Sequence, residues 1–177
     1  LAGVSGNGQG ELAQVLAGIR EPCGGSIYLS GHDVTRASPR QLFELGEAYI
    51  PADRNLALAF SLPLEANFIL KLYSQLPFSH NYFLDHRAIR SYANQLIANF
   101  NIKTPSSMIL ARQLSGGNLQ RLLLARELSQ NPTFLIANQP TRGLDVGATE
   151  FVRTQLITAR NRGTAILLIS EDLDELL

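Results

Sequence analysis

The sequence predicts an α/β fold built on a parallel sheet, and three observations carry that expectation. Thr164–Ile169 is an apolar, β-branched run of the kind a central parallel strand shows. Phe134–Ala137 is a second strand-sized apolar run, and Ala148–Arg162 between them has helical periodicity and is stopped by Gly163. Near the start, Leu1-Ala2-Gly3-Val4 reads as a strand end, and a loop punctuated by Gly3, Gly6, Gly8 and Gly10 then leads into a helix. Strands alternating with helices imply parallel pairing through right-handed crossovers.

The remaining elements follow in chain order. Leu12, Val15, Leu16 and Ile19 mark one face of a helix over Glu11–Ile19, ended by Pro22 and Gly24-Gly25. Ser26–Leu29 is expected as a short strand and Gly31-His32-Asp33 as a turn. Pro39 opens a short helix, Arg40–Leu45, and Glu47–Ile50 is a strand closed by Pro51. From about Ser61 the texture changes. Glu65–Gln75 and Asp85–Phe100 read as helices, the second capped by Asp85, with a polar and aromatic loop through Pro77 and Asn81 between them and no strand. Residues 61–112 are therefore expected to form an inserted helical subdomain, dividing an α/β core of residues 1–60 and 113–177. Core rhythm returns at Leu114, with a helix over Asn118–Ser129 and a turn at Asn131-Pro132. No internal repeat or low-complexity segment appears.

Bulk properties narrow the classes. A chain of 177 residues suits one domain with a sizeable core. Fifteen Lys and Arg balance fifteen Asp and Glu, so the basic footprint of a nucleic-acid binder or a polybasic membrane anchor is missing. Cys23 stands alone, which rules out an internal disulfide and agrees with a reducing compartment. No apolar run approaches the roughly 20 residues needed to span a bilayer. The chain opens almost directly on a glycine loop that normally follows a buried strand, and Leu176-Leu177 lies inside an expected helix. Both ends are thus expected to be cuts in a longer polypeptide.

Leu114-Ser115-Gly116-Gly117-Asn118 is the sharpest signal. Two glycines and a serine lead into a helix whose first N–H groups lack intrahelical partners and carry partial positive charge. Glycines admit a phosphate close to the backbone and Ser115 adds a hydroxyl donor, which makes an anion site; a flexible turn is the bland alternative. Sixteen residues after Gly117 begins Thr133-Phe134-Leu135-Ile136-Ala137-Asn138-Gln139-Pro140-Thr141, followed by Arg142-Gly143-Leu144-Asp145 and, further on, Ser170-Glu171-Asp172. In this order and spacing the chain resembles the ABC ATPase family along essentially its whole length: P-loop, signature motif, Walker B strand, D-loop and switch region. Gly6-Asn7-Gly8-Gln9, Ile50-Pro51-Ala52-Asp53-Arg54, Pro77-Phe78-Ser79 and Gln139–Asp145 look, more narrowly, like the second of two fused ATP-binding domains in bacterial simple-sugar and nucleoside importers. The implied fold is a P-loop NTPase-type parallel sheet core with the helical subdomain inserted.

The departures from the family pattern are chemical. A working P-loop ends in Lys-[Ser/Thr], where Lys meets phosphate oxygens and the hydroxyl binds Mg²⁺. Here the frame Gly3, Gly6, Asn7 and Gly8 continues into Gln9 and Gly10. The Walker B Asp and the Glu that polarises the attacking water are replaced by Asn138 and Gln139, amides without the charge or basicity a metal ligand or general base needs. Glu171 stands at the switch His and Ala52 approximately at the Q-loop Gln. Gln139 and Glu171 are thus the degenerate catalytic positions. Gly3, Gly6, Asn7, Gly8, Gln9, Gly10, Ala52 and Asn138 form a weakened nucleotide site, with no metal ligands of its own.

The resemblance also implies a second nucleotide-binding domain, fused N-terminally and packed head to tail. Leu114, Ser115, Gly116, Gly117 and Asn118 then face the ATP, and its Mg²⁺, held mainly by that partner, and Asp145 crosses the seam. Permease subunits at the cytoplasmic face of the inner membrane, and indirectly a substrate-binding protein, are the further partners expected; nucleic acid is not. Two alternatives remain open: a regulatory half that binds nucleotide without turnover, and a soluble ABC protein of DNA repair or translation. Arg54 is read either as a partial substitute for the missing Lys charge or as a solvated side chain. Arg121 and Arg126 are read as a solvated face of the signature helix, His32, His80 and His86 as surface residues, and Tyr73, Phe78, Tyr82 and Phe83 as core in preference to membrane-domain contact.

Overall fold

A computed structural model describes residues 6–172. The expected strand at Leu1–Val4, Gly3 and the helix reaching Leu177 lie outside the described residues. The sheet that organises the site has three parallel strands in the order β3 (Glu47–Ile50), β6 (Phe134–Asn138) and β7 (Ala165–Ile169). Its register sets Glu47 beside Phe134 and Phe134 beside Ala165. Gly46 precedes β3 at φ +90°, and a Cβ there would lie 2.7 Å from the Thr133 hydroxyl, so no larger residue fits this approach.

β6 is buried on both faces, as a central parallel strand must be. Its side chains alternate between two cores. Ile136 packs with Ala13 and Ala17 of α1 (Gln9–Leu16 and its end) and with Ile169. Leu135 and Ala137 face the larger core under α5 (Gly116–Leu128), where Leu122, Leu123 and Leu124 are fully enclosed. Burying a side chain of this size stabilises by about 1.5–3 kcal/mol. This core continues without a break into Leu64, Phe68, Ala93 and Leu96 from residues 61–112. α4 (His86–Asn99) contributes a stripe at Ile89, Ala93 and Leu96, with the Asp85 carboxylate capping Arg87 and Ala88 N–H groups as expected. α6 (Val146–Asn161) buries Ala148, Val152, Leu156 and Ala159 at helical spacing.

Several expectations need correction. The helix expected over Glu65–Gln75 is only α3 (Leu64–Phe68). The fully buried Asn67 side chain ties back to Ala59, Leu62 and Pro63, and successive i to i+3 turns at Leu72, Gln75 and Phe78 then keep apolar residues at helix-like intervals. Periodicity cannot tell those turns from a helix. The stretch expected to hold no strand contains a hairpin, β4 (Ser79–His80) with β5 (Phe83–Leu84), whose loop residues Asn81 and Tyr82 both have positive φ, as a type I′ turn requires. Likewise the turn sits at Ser30-Gly31, leaving His32-Asp33 as β2, paired with β1 (Tyr28–Leu29). Tyr73, Tyr82 and Phe83 are exposed and Phe78 alone of the four is core. α2 (Pro39–Glu44) begins in a capping box between Ser38 and Gln41.

Candidate functional site

The C-terminal ends of β6 and β7 and the start of α1 enclose a cavity of about 230 Å³. Gly6, Gly8, Gln9, Gly10, Ala52, Asn138, Gln139 and Glu171 all line it. The residues expected to form the nucleotide site therefore converge, apart from Gly3, outside the described residues, and Asn7, not a lining residue. Gly6 and Gly8 have φ near +88°, and among the described residues no atom lies within 4 Å of a Cβ built on Gly6, Gly8 or Gly10, so the loop backbone is open there, as a phosphate needs. Side chains at the cavity, however, bond within it. The Gln9 amide oxygen accepts the Asn7 N–H at 3.1 Å. Gln139, strained at φ +47°, holds its backbone on the Ile169 carbonyl at 2.7 Å and donates from Nε2 to Glu171 Oε1 at 2.6 Å. Asn138 is buried.

These residues do not fit a divalent cation. Mg²⁺ seeks carboxylate and other hard oxygen ligands. The lining offers two carboxylates, Glu11 and Glu171, and Glu171 is engaged by Gln139; Gly10 and Ala52 have no side-chain ligand, and Asn138 and Gln139 are uncharged amides. Among the described residues there is no group of three or more His, Cys, Asp or Glu arranged to hold a metal ion. For a phosphate the loop frame fits, but the basic residue in the lining is Arg142 rather than a P-loop lysine.

None of Leu114–Asn118 lines that cavity. Ser115 is the N-cap of α5, and α5 begins at Gly116, so the two glycines form the first helical turn instead of preceding it. The Ser115 side chain makes no capping bond. Its oxygen accepts Asn118 Nδ2 at 3.0 Å, and Asn118 Oδ1 accepts the Lys103 N–H at 2.9 Å. That arrangement leaves the exposed helix end without a cap from the Ser115 side chain. Asp145 behaves oppositely: its carboxylate caps α6 at the Ala148 N–H, 2.8 Å away.

Buried polar ties brace α5, and the reading of Arg121 and Arg126 as a solvated face is overturned. Arg121 lies 3.6 Å from the Phe151 ring centroid and donates to the Phe100 carbonyl. Arg126, 7% exposed, donates to Glu127 at 2.9 Å and to the Ala57 carbonyl at 2.7 Å. Lys71 Nζ reaches Glu127 at 2.6 Å. Burial pushes the Glu127 carboxyl up, but Arg126 and Lys71 outweigh it and hold the group below its ordinary range. Neighbouring Glu47 is pushed up to about 7 by burial; Lys71 opposes that rise and the Glu127 charge adds to it. Glu47, Lys71 and Arg126 border a separate cavity of about 450 Å³. Buried Gln120 donates to the Pro140 carbonyl at 2.7 Å, tying the signature helix to the end of β6. Sequence reasoning passed over Gln120, Glu47, Lys71 and Glu127. Their signal, polar residues among apolar neighbours, gains meaning only once a partner is in place. Arg54, half-buried, does not line the cavity; it contacts the carbonyls of Gly116 and Arg142.

The comparisons with known proteins agree with this geometry. The family described as ABC transporter matches residues 1–142. A glucose import ATP-binding protein of Haloferax volcanii, TsgD13, is 43% identical across the whole chain, and a nucleoside import ATP-binding protein of Lactococcus lactis, NupA, 41%. A guanosine import ATP-binding protein of Bacillus subtilis, NupO, is 42% identical. The chain spans about a third of the length of these relatives, 33% of the first and 35% of the other two. Among solved structures, the dimeric ATP-binding cassette MJ0796 in a post-hydrolysis state bound to ADP and Pi matches at a TM-score of 0.80 and 22% identity, over 98% of this chain and 74% of that one. A nucleotide-free cassette from an ABC transporter matches at 0.79 and 19%, over 99% and 70%. The chain has the ATP-binding cassette fold and belongs to the ABC transporter family.

Proposed function

We propose that this chain is the degenerate ATP-binding half of an importer for simple sugars or nucleosides, and that it completes a partner domain's ATP site with its own signature turn. The observation that carries this reading is a contrast within one chain. The Ser115–Gly117 helix end is exposed and uncapped by its serine, while the chain's own cavity has no P-loop lysine and places Asn138 and Gln139 where carboxylates belong. The separation of Leu114–Asn118 from that cavity supports a head-to-tail arrangement. The import functions printed for the relatives support the cargo class.

In this reading residues 1–60 and 113–177 are the nucleotide-binding core and 61–112 the helical subdomain. The Ser115 hydroxyl and the Gly116 and Gly117 N–H groups donate to the terminal phosphate of ATP held with Mg²⁺ by a second domain, fused N-terminally. Donors fixed in advance at a site of developing negative charge lower the barrier without reorganising. Asp145 stands near the seam. Gln139 lacks the basicity to activate water, so turnover belongs to the complete ATPase and little of it to this half. Permease subunits bring the assembly to the cytoplasmic face of the membrane and a binding protein supplies cargo. Among the described residues no helix is long and apolar enough to cross a membrane.

The test is Ser115→Arg in the full-length protein assembled with its permease. ATP hydrolysis should fall about 100-fold or more, the scale of losing one such donor. Wild-type hydrolysis in that variant rejects the reading in favour of a regulatory half.

A further inference from the structure

Arg54 opens the short 3₁₀ turn Arg54–Leu56 that follows Ala52 and Asp53. The turn has a fixed base. The Asp53 carboxylate accepts from the Asn55 backbone and side chain at 2.9 and 2.7 Å, and Arg126 of α5 donates to the Ala57 carbonyl. From that base the guanidinium reaches two loops remote in sequence. Nη1 donates to the Gly116 carbonyl at 2.9 Å, and Nη2 meets the Arg142 carbonyl at 3.5 Å. Cβ atoms built on Gly116 and Gly143 would lie 3.6 and 3.7 Å from the same two nitrogens, at ordinary van der Waals contact. The planar head is therefore seated between the signature turn and the D-loop turn.

We propose that Arg54 is a positioning residue for ATP hydrolysis, clamping the signature turn to the D-loop so that both meet the partner's nucleotide as one rigid lip; this rests on the function proposed above. A rigid fork can serve two acceptors at once, whereas an ammonium serves as a point charge. Helix stability does not explain the placement, because a cation beside a helix N-terminus opposes the helix dipole. Gln120 ties the same two elements one turn deeper, through Pro140, and Arg54 makes the tie at the exposed rim. Rim alignment matters because a misplacement of about 1 Å at a reacting group costs on the order of 100-fold in rate.

The experiment compares Arg54→Ala, Arg54→Lys and Ser115→Arg in the full-length protein assembled with its permease, following ATPase kinetics and amide hydrogen exchange. Arg54→Ala should lower kcat about 10-fold with KM for ATP nearly unchanged, and Arg54→Lys should recover part of the loss. Exchange should quicken at the Leu119 and Leu144 amides, which bond to Ser115 and Thr141, and stay slow in β6. Unchanged exchange at Leu119 and Leu144 overturns the clamp, as does faster exchange throughout β6, which marks a general structural role. Unchanged kcat in Arg54→Ala beside a silenced Ser115→Arg overturns the clamp and leaves the signature reading standing. An active Ser115→Arg removes the signature reading itself.

Discussion

The start of α1 and the start of α5 are both glycine turns feeding a helix, yet they end in opposite states. At α1 the side chains close inward: Gln9 occupies the Asn7 N–H, and Gln139 and Glu171 bond across the cavity. At α5 Ser115 leaves its helix end uncapped, and Asn118 and Lys103 hold it in that posture. The scaffolding differs as well. α1 is short and packs through Ala13 and Ala17, whereas α5 is buried along most of its length and braced by Gln120, Arg121, Arg126 and Glu127. Motif spelling alone would rank these ends by what each lacks. Geometry adds that the end its serine leaves uncapped is the one most firmly held.

Removing the brace is expected to have the largest effect. Glu127→Ala leaves Lys71 and Arg126 without their shared carboxylate in a buried setting, which should destabilise the fold by about 3–5 kcal/mol, read from chemical denaturation. A loss under 1 kcal/mol would mean that α5 is held by its apolar faces alone. Next comes the pH response of Glu47. The unfolded chain ionises this group near its ordinary 4.5, while the fold retains its proton to about 7. Its contribution is therefore complete below the lower value and is lost as pH rises through the higher. Glu47→Gln should flatten that fall and gain roughly 1–3 kcal/mol at pH 8, since one pKa unit corresponds to about 1.4 kcal/mol. A denaturation midpoint series from pH 4.5 to 8 measures it, and parallel curves for the two proteins would refute it. The smallest effect tests the closed end. Gln9→Lys frees the Asn7 N–H and adds a cation at the loop, and should tighten metal-free nucleotide binding to this half about 10-fold by calorimetry. No gain would show that the Gln139–Glu171 bond suffices to keep this end shut.

The legibility of the molecule follows the range of its interactions. Phe134–Asn138 and Ala165–Ile169 could be found as strands because their apolar runs are continuous, and Asp85 as a cap because its partners are two and three residues away. That the glycine loop, Ala52, Asn138, Gln139 and Glu171 lie near one another was readable too, since the motifs have fixed spacing and all but Asn7 of their described residues line one cavity, which Leu114–Asn118 do not. The hairpin at Asn81-Tyr82 and the second strand of the one at Ser30-Gly31 were missed because two-residue strands leave no alternation to detect. Arg121 and Arg126 were misjudged for a different reason. A charged residue on a helix reads as solvated until Phe151, Glu127 and Ala57 are seen against it.

By itself, the sequence determined the α/β class, the order of the motifs and the uncharged residue types at Gln9, Gly10, Asn138 and Gln139, because these depend on residue identity and local spacing. Only the tertiary structure decided that Gln139 pairs with Glu171 and that Arg54 joins Gly116 to Arg142. Hydrogen bonds need atoms within about 3 Å at a suitable angle, and over separations such as 32, 62 and 88 residues that condition is met by packing, which no local pattern encodes.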